Sequence, residues 1–191
     1  MRLIIVDGLD GVGKDTHAQF IKRRYEEKGE RVVLRSHPES DNFFGRATKK
    51  SLLGSGPVNK VKAAIFYMLD VLRSVRAYYN KKNIDTLIMV RYLMGTAYLS
   101  PFLSKIAYRF FAGLVPTSSY MFFLDASPEE LLARVQQRSE IEMFETIEEL
   151  TKVRKKALML AQDWNIVDTN RPVGKTVIHL DSLLSKLDRC A

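Results

Sequence analysis

The chain has 191 residues, of which 46% are hydrophobic and 27% charged, and its net charge is +8. This is enough chain for one domain with a real core, in the proportions of an ordinary soluble globular protein. The lone cysteine, Cys190, excludes an intrachain disulfide.

No apolar run reaches the length of a membrane span; the longest candidate, 106–124, is broken by Arg109 and by Pro116-Thr117-Ser118-Ser119. The first residues enter a strand directly and do not read as a signal peptide, so a cytoplasmic location is expected. The basic clusters, Lys22-Arg23-Arg24, Lys49-Lys50, Lys81-Lys82 and Arg154-Lys155-Lys156, are short and scattered. They lack the aromatic-studded basic stripe that grips single strands. Solvated surface plus phosphate binding accounts for the charge, and no nucleic-acid or membrane partner is expected.

In chain order, residues 2–7 read as a buried strand and 14–28 as a helix carrying Ala18, Ile21 and Tyr25 on one face, with Gly29 as its stop. A second strand spans 31–36 and is broken by His37-Pro38. A short helix at 43–53 and a turn at 54–57 lead into a long helix, 58–79, with apolar residues on more than one side. Ala64, Tyr67, Met68, Val71 and Val75 form one stripe of it, while Phe66, Leu69 and Arg73 lie off that stripe. Two useful faces predict a homodimer, the alternative being a fully buried core helix. Strand three is 86–90, followed by a loop and helix over 93–113; strand four is 120–124, ending in Asp125. Ser127-Pro128-Glu129-Glu130 reads as a capping box opening a helix to about 138. A connector at 140–143, a helix at 146–163, a strand at 166–168 and a helix at 176–187 complete the chain. Alternating strands and helices predict an α/β fold: a five-stranded parallel sheet with helices on both faces, ligands sitting past the carboxyl ends of the strands.

The first strand runs into Gly8-Leu9-Asp10-Gly11-Val12-Gly13-Lys14-Asp15-Thr16, at the spacing of a phosphate-binding loop. Glycines allow the tight turn that converges N–H groups on phosphate oxygens, the helix adds its positive end, and Lys14 can reach the β- and γ-phosphates. Residues 8–16 are therefore the expected ATP-binding segment. The pattern wants Ser or Thr after the lysine as a Mg²⁺ ligand; here Asp15 stands there, with Thr16 next.

Four places make the chain resemble the thymidylate kinases, a branch of the P-loop nucleoside monophosphate kinases, as a divergent member of archaeal type. They are Asp7 to Lys14; Pro38-Glu39; Arg91-Tyr92 with Ala97-Tyr98; and Phe123 to Glu130 leading to Arg134 and Arg138. The resemblance implies a three-layer P-loop kinase fold in a single domain over 1–191, with a short lid around 138–144. It implies transfer of the γ-phosphoryl of ATP, with Mg²⁺, to a nucleoside monophosphate, most simply dTMP to dTDP. It also implies a homodimer. By the same resemblance Asp10 lies near the acceptor's sugar, Arg91 binds its phosphate, and Arg134 and Arg138 reach the transferred group or the adenine. Lys14, Arg91, Arg134 and Arg138 are thus the expected catalytic set. An aromatic residue matching Phe66 would stack on the base, and Pro38, Arg73 and Tyr98 complete the expected substrate site. The chemistry agrees, because phosphoryl transfer needs positioning and charge cancellation more than covalent work, and arginine suits planar bidentate phosphate contact.

The sequence departs from that pattern. Val90 replaces the aspartate expected before Arg91-Tyr92. An arginine near Pro38-Glu39 is missing, with Ser36 and Ser40 in the candidate positions. Asp70 stands where a base-reading arginine is expected. One reading joins the first departure to Asp15: the metal-site carboxylate has moved from the strand end to the loop, with Val90 filling the space left behind. The alternative function is a non-catalytic or differently specific P-loop nucleotide-binding protein, either a kinase of another small acceptor or a nucleotide switch.

Overall fold

The computed structural model describes residues 1–54, 56–136 and 146–190. Five strands, β1 (Arg2–Gly8), β2 (Val32–Ser36), β3 (Thr86–Val90), β4 (Met121–Asp125) and β5 (Asn165–Asp168), form one all-parallel sheet in the order β2-β3-β1-β4-β5. The three inner strands are continuous apolar runs, and consecutive residues such as Ile4, Ile5 and Val6 or Leu87 to Val90 are all buried. Side chains alternate between sheet faces, so burial of every position means both faces are covered. The edge strands are only partly buried.

Between the strands run α1 (Lys14–Glu26), α2 (Phe43–Leu52), α3 (Pro57–Tyr78), α4 (Pro101–Leu114), α5 (Pro128–Val135), α6 (Ile147–Leu160) and α7 (Val173–Cys190). The loop and helix expected over 93–113 take the form of a 3₁₀ turn at Met94–Tyr98 and then α4. Pro101 forces the break, since the residue before a proline is pushed to extended backbone and Ser100 sits at ψ 155°. The start of α5 is as read, with the Ser127 hydroxyl accepting from the Glu130 N–H at 3.3 Å. The return half of the capping box is replaced: Glu130 takes the Arg134 guanidinium at 2.8 Å, and the Ser127 N–H goes to Asn170 at 2.9 Å. The expected connector at 140–143 and the lid around 138–144 lie outside the described residues, as does Arg138.

Helix α3 is not a wholly buried core helix. Val71 and Asp70 are fully buried, whereas Val58, Val61 and Ile65 are exposed, and α4 adds exposed Phe102, Ile106 and Phe110.

At the amino end of the sheet a polar knot fixes α7. Asp188 accepts from Arg24 at 2.9 Å, Tyr25 at 2.8 Å, Lys28 at 3.1 Å and Tyr120 at 3.2 Å, and Arg2 lies 3.4 Å away. Partial burial alone would raise its pKa, but these donors win and bring it from 3.8 down to about 2. Its stabilisation is therefore complete above about pH 4 and is lost as pH falls toward 2. Asp188→Asn should lower stability by about 1–3 kcal/mol at pH 7, and the deficit relative to the parent should shrink as denaturation is repeated toward pH 2. An undiminished deficit would contradict the assignment.

Candidate active site

β1 delivers the chain into the loop 8–13. Gly11 (φ 88°) and Gly13 (φ 82°) occupy backbone that side chains rarely adopt, and a Cβ on Gly8 would fall 2.4 Å from the Leu124 carbonyl oxygen. The loop thus needs glycine both for its turn and for its contact with β4. Gly13 caps α1 without any side-chain hydrogen bond. Helix geometry leaves the first-turn N–H groups without intrahelical partners, and the helix dipole makes this end positive. An anion is the natural occupant.

Lys14 is buried and its Nζ donates to the carbonyls of Gly8 (2.8 Å) and Leu9 (2.7 Å) and to Asp10 Oδ1 (3.2 Å). Burial lowers its pKa, partly countered by Asp10. Asp10 also accepts from the Tyr98 hydroxyl at 2.8 Å. Burial pushes the Asp10 carboxyl up, yet Lys14, Arg91 and the Tyr98 bond outweigh it and hold the group well below the usual carboxylate range.

Arg91 opens the segment after β3 with φ 53°, the left-handed region uncommon for a residue with a side chain. Such a conformation persists where the surroundings over-determine it, and here they do. Its N–H donates to Val6 at 3.1 Å. The next three amides, those of Tyr92, Leu93 and Met94, all donate to Asp7 Oδ2 at 2.8, 2.8 and 2.9 Å. The guanidinium faces Asp15 (Nη2–Oδ2 3.2 Å, Nη1–Oδ1 3.4 Å), donates to Ser36 Oγ at 2.9 Å, and lies 4.0 Å from Asp10. Burial works against its charge, but Asp10 and Asp15 raise its pKa and keep it cationic. Ser36 in turn donates to Asp15 at 2.7 Å. The Arg91 and Ser36 contacts overcome the effect of burial and lower the Asp15 pKa.

Asp10, Lys14, Ser36, Arg91 and Tyr98 border one cavity of about 560 Å³, lined also by Pro38 and Glu39 from the β2 end, by Thr48 and Leu52 from α2, and by Ala63 and Tyr67 from α3; Asp15 is not part of its wall. The β2 end is held by buried polar groups. His37 bonds the Val90 carbonyl (3.0 Å) through Nδ1 and the Ser74 hydroxyl (2.9 Å) through Nε2, and burial lowers its pKa. Asp70 accepts from the Glu39 N–H (2.8 Å) and the Asn42 amide (2.7 Å).

Of the residues expected in the site, 8, 10, 14, 38, 91 and 98 line this cavity. Phe66 does not. It lies edge-on to Phe43, with centroids 6.1 Å apart, because its position on α3 turns it away from the stripe that faces the cavity. The aromatic side chain that α3 places in the cavity wall is the neighbouring Tyr67, whose buried hydroxyl has no hydrogen-bond partner among the described residues and whose ring lies 2.8 Å from where a Cβ on Gly95 would stand. Arg73 is likewise outside, 3.5 Å from Asp41 on the exposed side. Asp70, in the place of the expected arginine, ties down the loop after β2. Arg134 bonds the carbonyls of Thr169 (2.8 Å) and Gly11 (3.4 Å), so it braces the phosphate loop from outside. Thr16 is exposed on α1. Asp125 pairs with Arg154 at 2.8 and 2.7 Å.

A Mg²⁺ ion needs hard oxygens. Among the described residues no group of three or more His, Cys, Asp or Glu side chains could hold a metal, so the ion would depend on phosphate oxygens and water with a single protein carboxylate, its usual arrangement in such sites. Asp15 fits that role, being a carboxylate with a half-exposed side chain beside Lys14. Asp7 does not, because backbone amides occupy both of its oxygens. Val90 is fully buried in the core.

A parallel sheet, a glycine loop opening a helix and a buried lysine over that loop define the class: a P-loop protein of the kinase type. The thymidylate kinase family profile matches residues 6–179, and the chain belongs to that family. The probable thymidylate kinase of Archaeoglobus fulgidus is 30% identical over 186 residues, covering 90% of this chain and 88% of its own. That of Thermococcus kodakarensis is 29% identical over 174 residues, covering 83% of each. The thymidylate kinase structure from Candida albicans superposes with a TM-score of 0.76 at 16% identity, covering 98% of this chain and 92% of that one; it establishes likeness of fold.

Sequence reasoning passed over two residues here. Asp7 reads as the last letter of a strand, and nothing local signals that it serves the segment after β3. Tyr67 was visible only as part of the apolar stripe of α3. Asp7→Ala should leave three buried amides without their acceptor and cost about 2–4 kcal/mol. Chemical denaturation measures this; a change under about 0.5 kcal/mol, the size of an ordinary surface substitution, would show that the segment does not depend on it.

Proposed function

We propose that this chain phosphorylates a nucleoside monophosphate, dTMP to dTDP, using ATP, and that residues 1–191 work as one kinase domain. The observation that carries this reading is the placement of Asp10 between Lys14 (3.2 Å) and Arg91 (4.0 Å). The cation that serves the donor and the cation that serves the acceptor are thereby neighbours, as an in-line transfer between two phosphates requires.

The loop amides from Gly8 to Thr16 and the positive end of α1 hold the ATP polyphosphate. Lys14 exchanges a carbonyl bond for a phosphate oxygen. Arg91 grips the acceptor phosphate, Asp10 and Tyr98 meet the sugar, and Tyr67, Ala63 and Pro38 enclose the base. An acceptor phosphate oxygen then attacks the γ-phosphorus, the bond to the β–γ bridging oxygen breaks, and ADP leaves. Lys14 and Arg91 cancel charge that spreads over the transferred group. Arg134 keeps the loop in shape. Asp15 would hold Mg²⁺, which when bound supplies further neutralisation of the phosphates.

The exposed apolar residues of α3 and α4, Val61, Ile65, Phe102 and Ile106 among them, support a homodimer. Among the described residues no helix is long and apolar enough to cross a membrane, in keeping with work in the cytoplasm.

An assay of ADP release across nucleoside monophosphates should show acceptor-dependent turnover, with dTMP preferred. Nucleotide binding without turnover, or hydrolysis indifferent to acceptor, would refute the reading. Arg91→Lys should lower kcat/KM for dTMP by about 10²-fold with little change in ATP-analogue affinity, whereas Lys14→Met should lower kcat by about 10²–10³-fold.

A further inference from the structure

We propose that Asp15 is a built-in competitor for the acceptor's phosphate: it occupies Arg91 until a nucleotide draws it away, and so sets acceptor affinity. This rests on the kinase reading above and adds a control element to the same site.

Both carboxylate oxygens of Asp15 face Arg91, one at 3.2 Å from Nη2 and the other at 3.4 Å from Nη1. That fork is the geometry in which a guanidinium would take two phosphate oxygens. The phosphate and Asp15 therefore seek the same two donors, and two anions crowded onto one cation repel. One has to leave. The neighbouring carboxylate, Asp10, is ill suited to move, since Lys14 and the Tyr98 hydroxyl both bond it and its side chain is 28% exposed. Asp15 is 58% exposed and can turn into water without being stripped of hydration. Ser36 fixes the resting arrangement by donating to Asp15 (2.7 Å) and accepting from Arg91 (2.9 Å). Asp15 also sits in the first turn of α1, directly after Lys14, at the helix end that would hold the polyphosphate. If its oxygens turn there toward Mg²⁺, they no longer occupy Arg91. Metal–nucleotide binding and acceptor binding then assist each other, and by linkage each must favour the other equally.

The test is calorimetric binding of dTMP to the full chain and to Asp15→Asn, with and without Mg²⁺ and a non-hydrolysable ATP analogue. Without metal or analogue, Asp15→Asn should bind dTMP about 2–5-fold more tightly than the parent, the range expected for releasing a partly exposed ion pair. Adding Mg²⁺ and analogue should tighten dTMP binding in the parent and do so distinctly less in the variant. Equal or weaker binding by Asp15→Asn overturns the proposal, as does an equal gain in an Arg91→Ala background, which would reveal a general charge effect. Inorganic phosphate, titrated in parallel, separates this proposal from the substrate assignment. If dTMP binds neither protein while phosphate affinity rises in Asp15→Asn, the assigned acceptor fails and the competition stands. If dTMP binds both equally, the competition fails and the acceptor stands. If neither ligand binds either protein, both fail.

Discussion

The carboxylate of Asp7 joins the two halves of this site. One oxygen meets the Gly8 amide at the mouth of the phosphate loop, and the other gathers three successive amides from the segment after β3. Without it those buried donors would lack a partner, a cost of kilocalories each, and the unusual backbone at Arg91 would lose the neighbours that impose it. Donor-side glycines and acceptor-side arginine therefore share one anchor. Their separation is set by a side chain inside the sheet, not by flexible loops, which is what positioning chemistry requires.

Much of this was legible from residue order. Apolar runs of β-branched and large residues gave the strands; Gly8, Gly13 and Lys14 gave the loop; Ser127 and Pro128 gave the start of α5. These are local signals, carried by neighbours in the chain. The contents of the acceptor wall were harder to read. Phe66 and Tyr67 differ by one position on α3, which is a rotation of about 100° around a helix, and composition cannot say which of two adjacent aromatics faces a cavity. Asp70 shows the same limit. In the chain it marks the absence of an arginine, and only folding reveals that Glu39 and Asn42 need it. The role of Asp7 is invisible for a related reason, since three of its amide partners lie more than eighty residues away.

The site is also a study in charge balance. Three carboxylates, Asp7, Asp10 and Asp15, crowd two cations, and each is restrained differently: the first by amides, the second by Lys14 and Tyr98, the third by Arg91 and Ser36 at the surface. Burial raises the cost of any unpaired charge, so the order of exposure is an order of mobility. The phosphate loop is likewise braced from behind by Arg134, whose two carbonyl partners connect it to the turn after β5. The P-loop and the acceptor side are thus joined twice, through the amides gathered by Asp7 and through Asp10 between Lys14 and Arg91.

The knot around Asp188 has a topological side as well. Because the Arg2 guanidinium comes within 3.4 Å of the Asp188 carboxylate, the start of the first strand and the end of the last helix are within side-chain reach of each other. A few glycine and serine residues would bridge that gap, and the ring so formed could be reopened at the exposed bend near Asn80, where the backbone is left-handed and no strand is cut. A permuted polypeptide would then carry its phosphate loop in the middle of the sequence and its acceptor arginine near the front, with every contact of the cavity preserved.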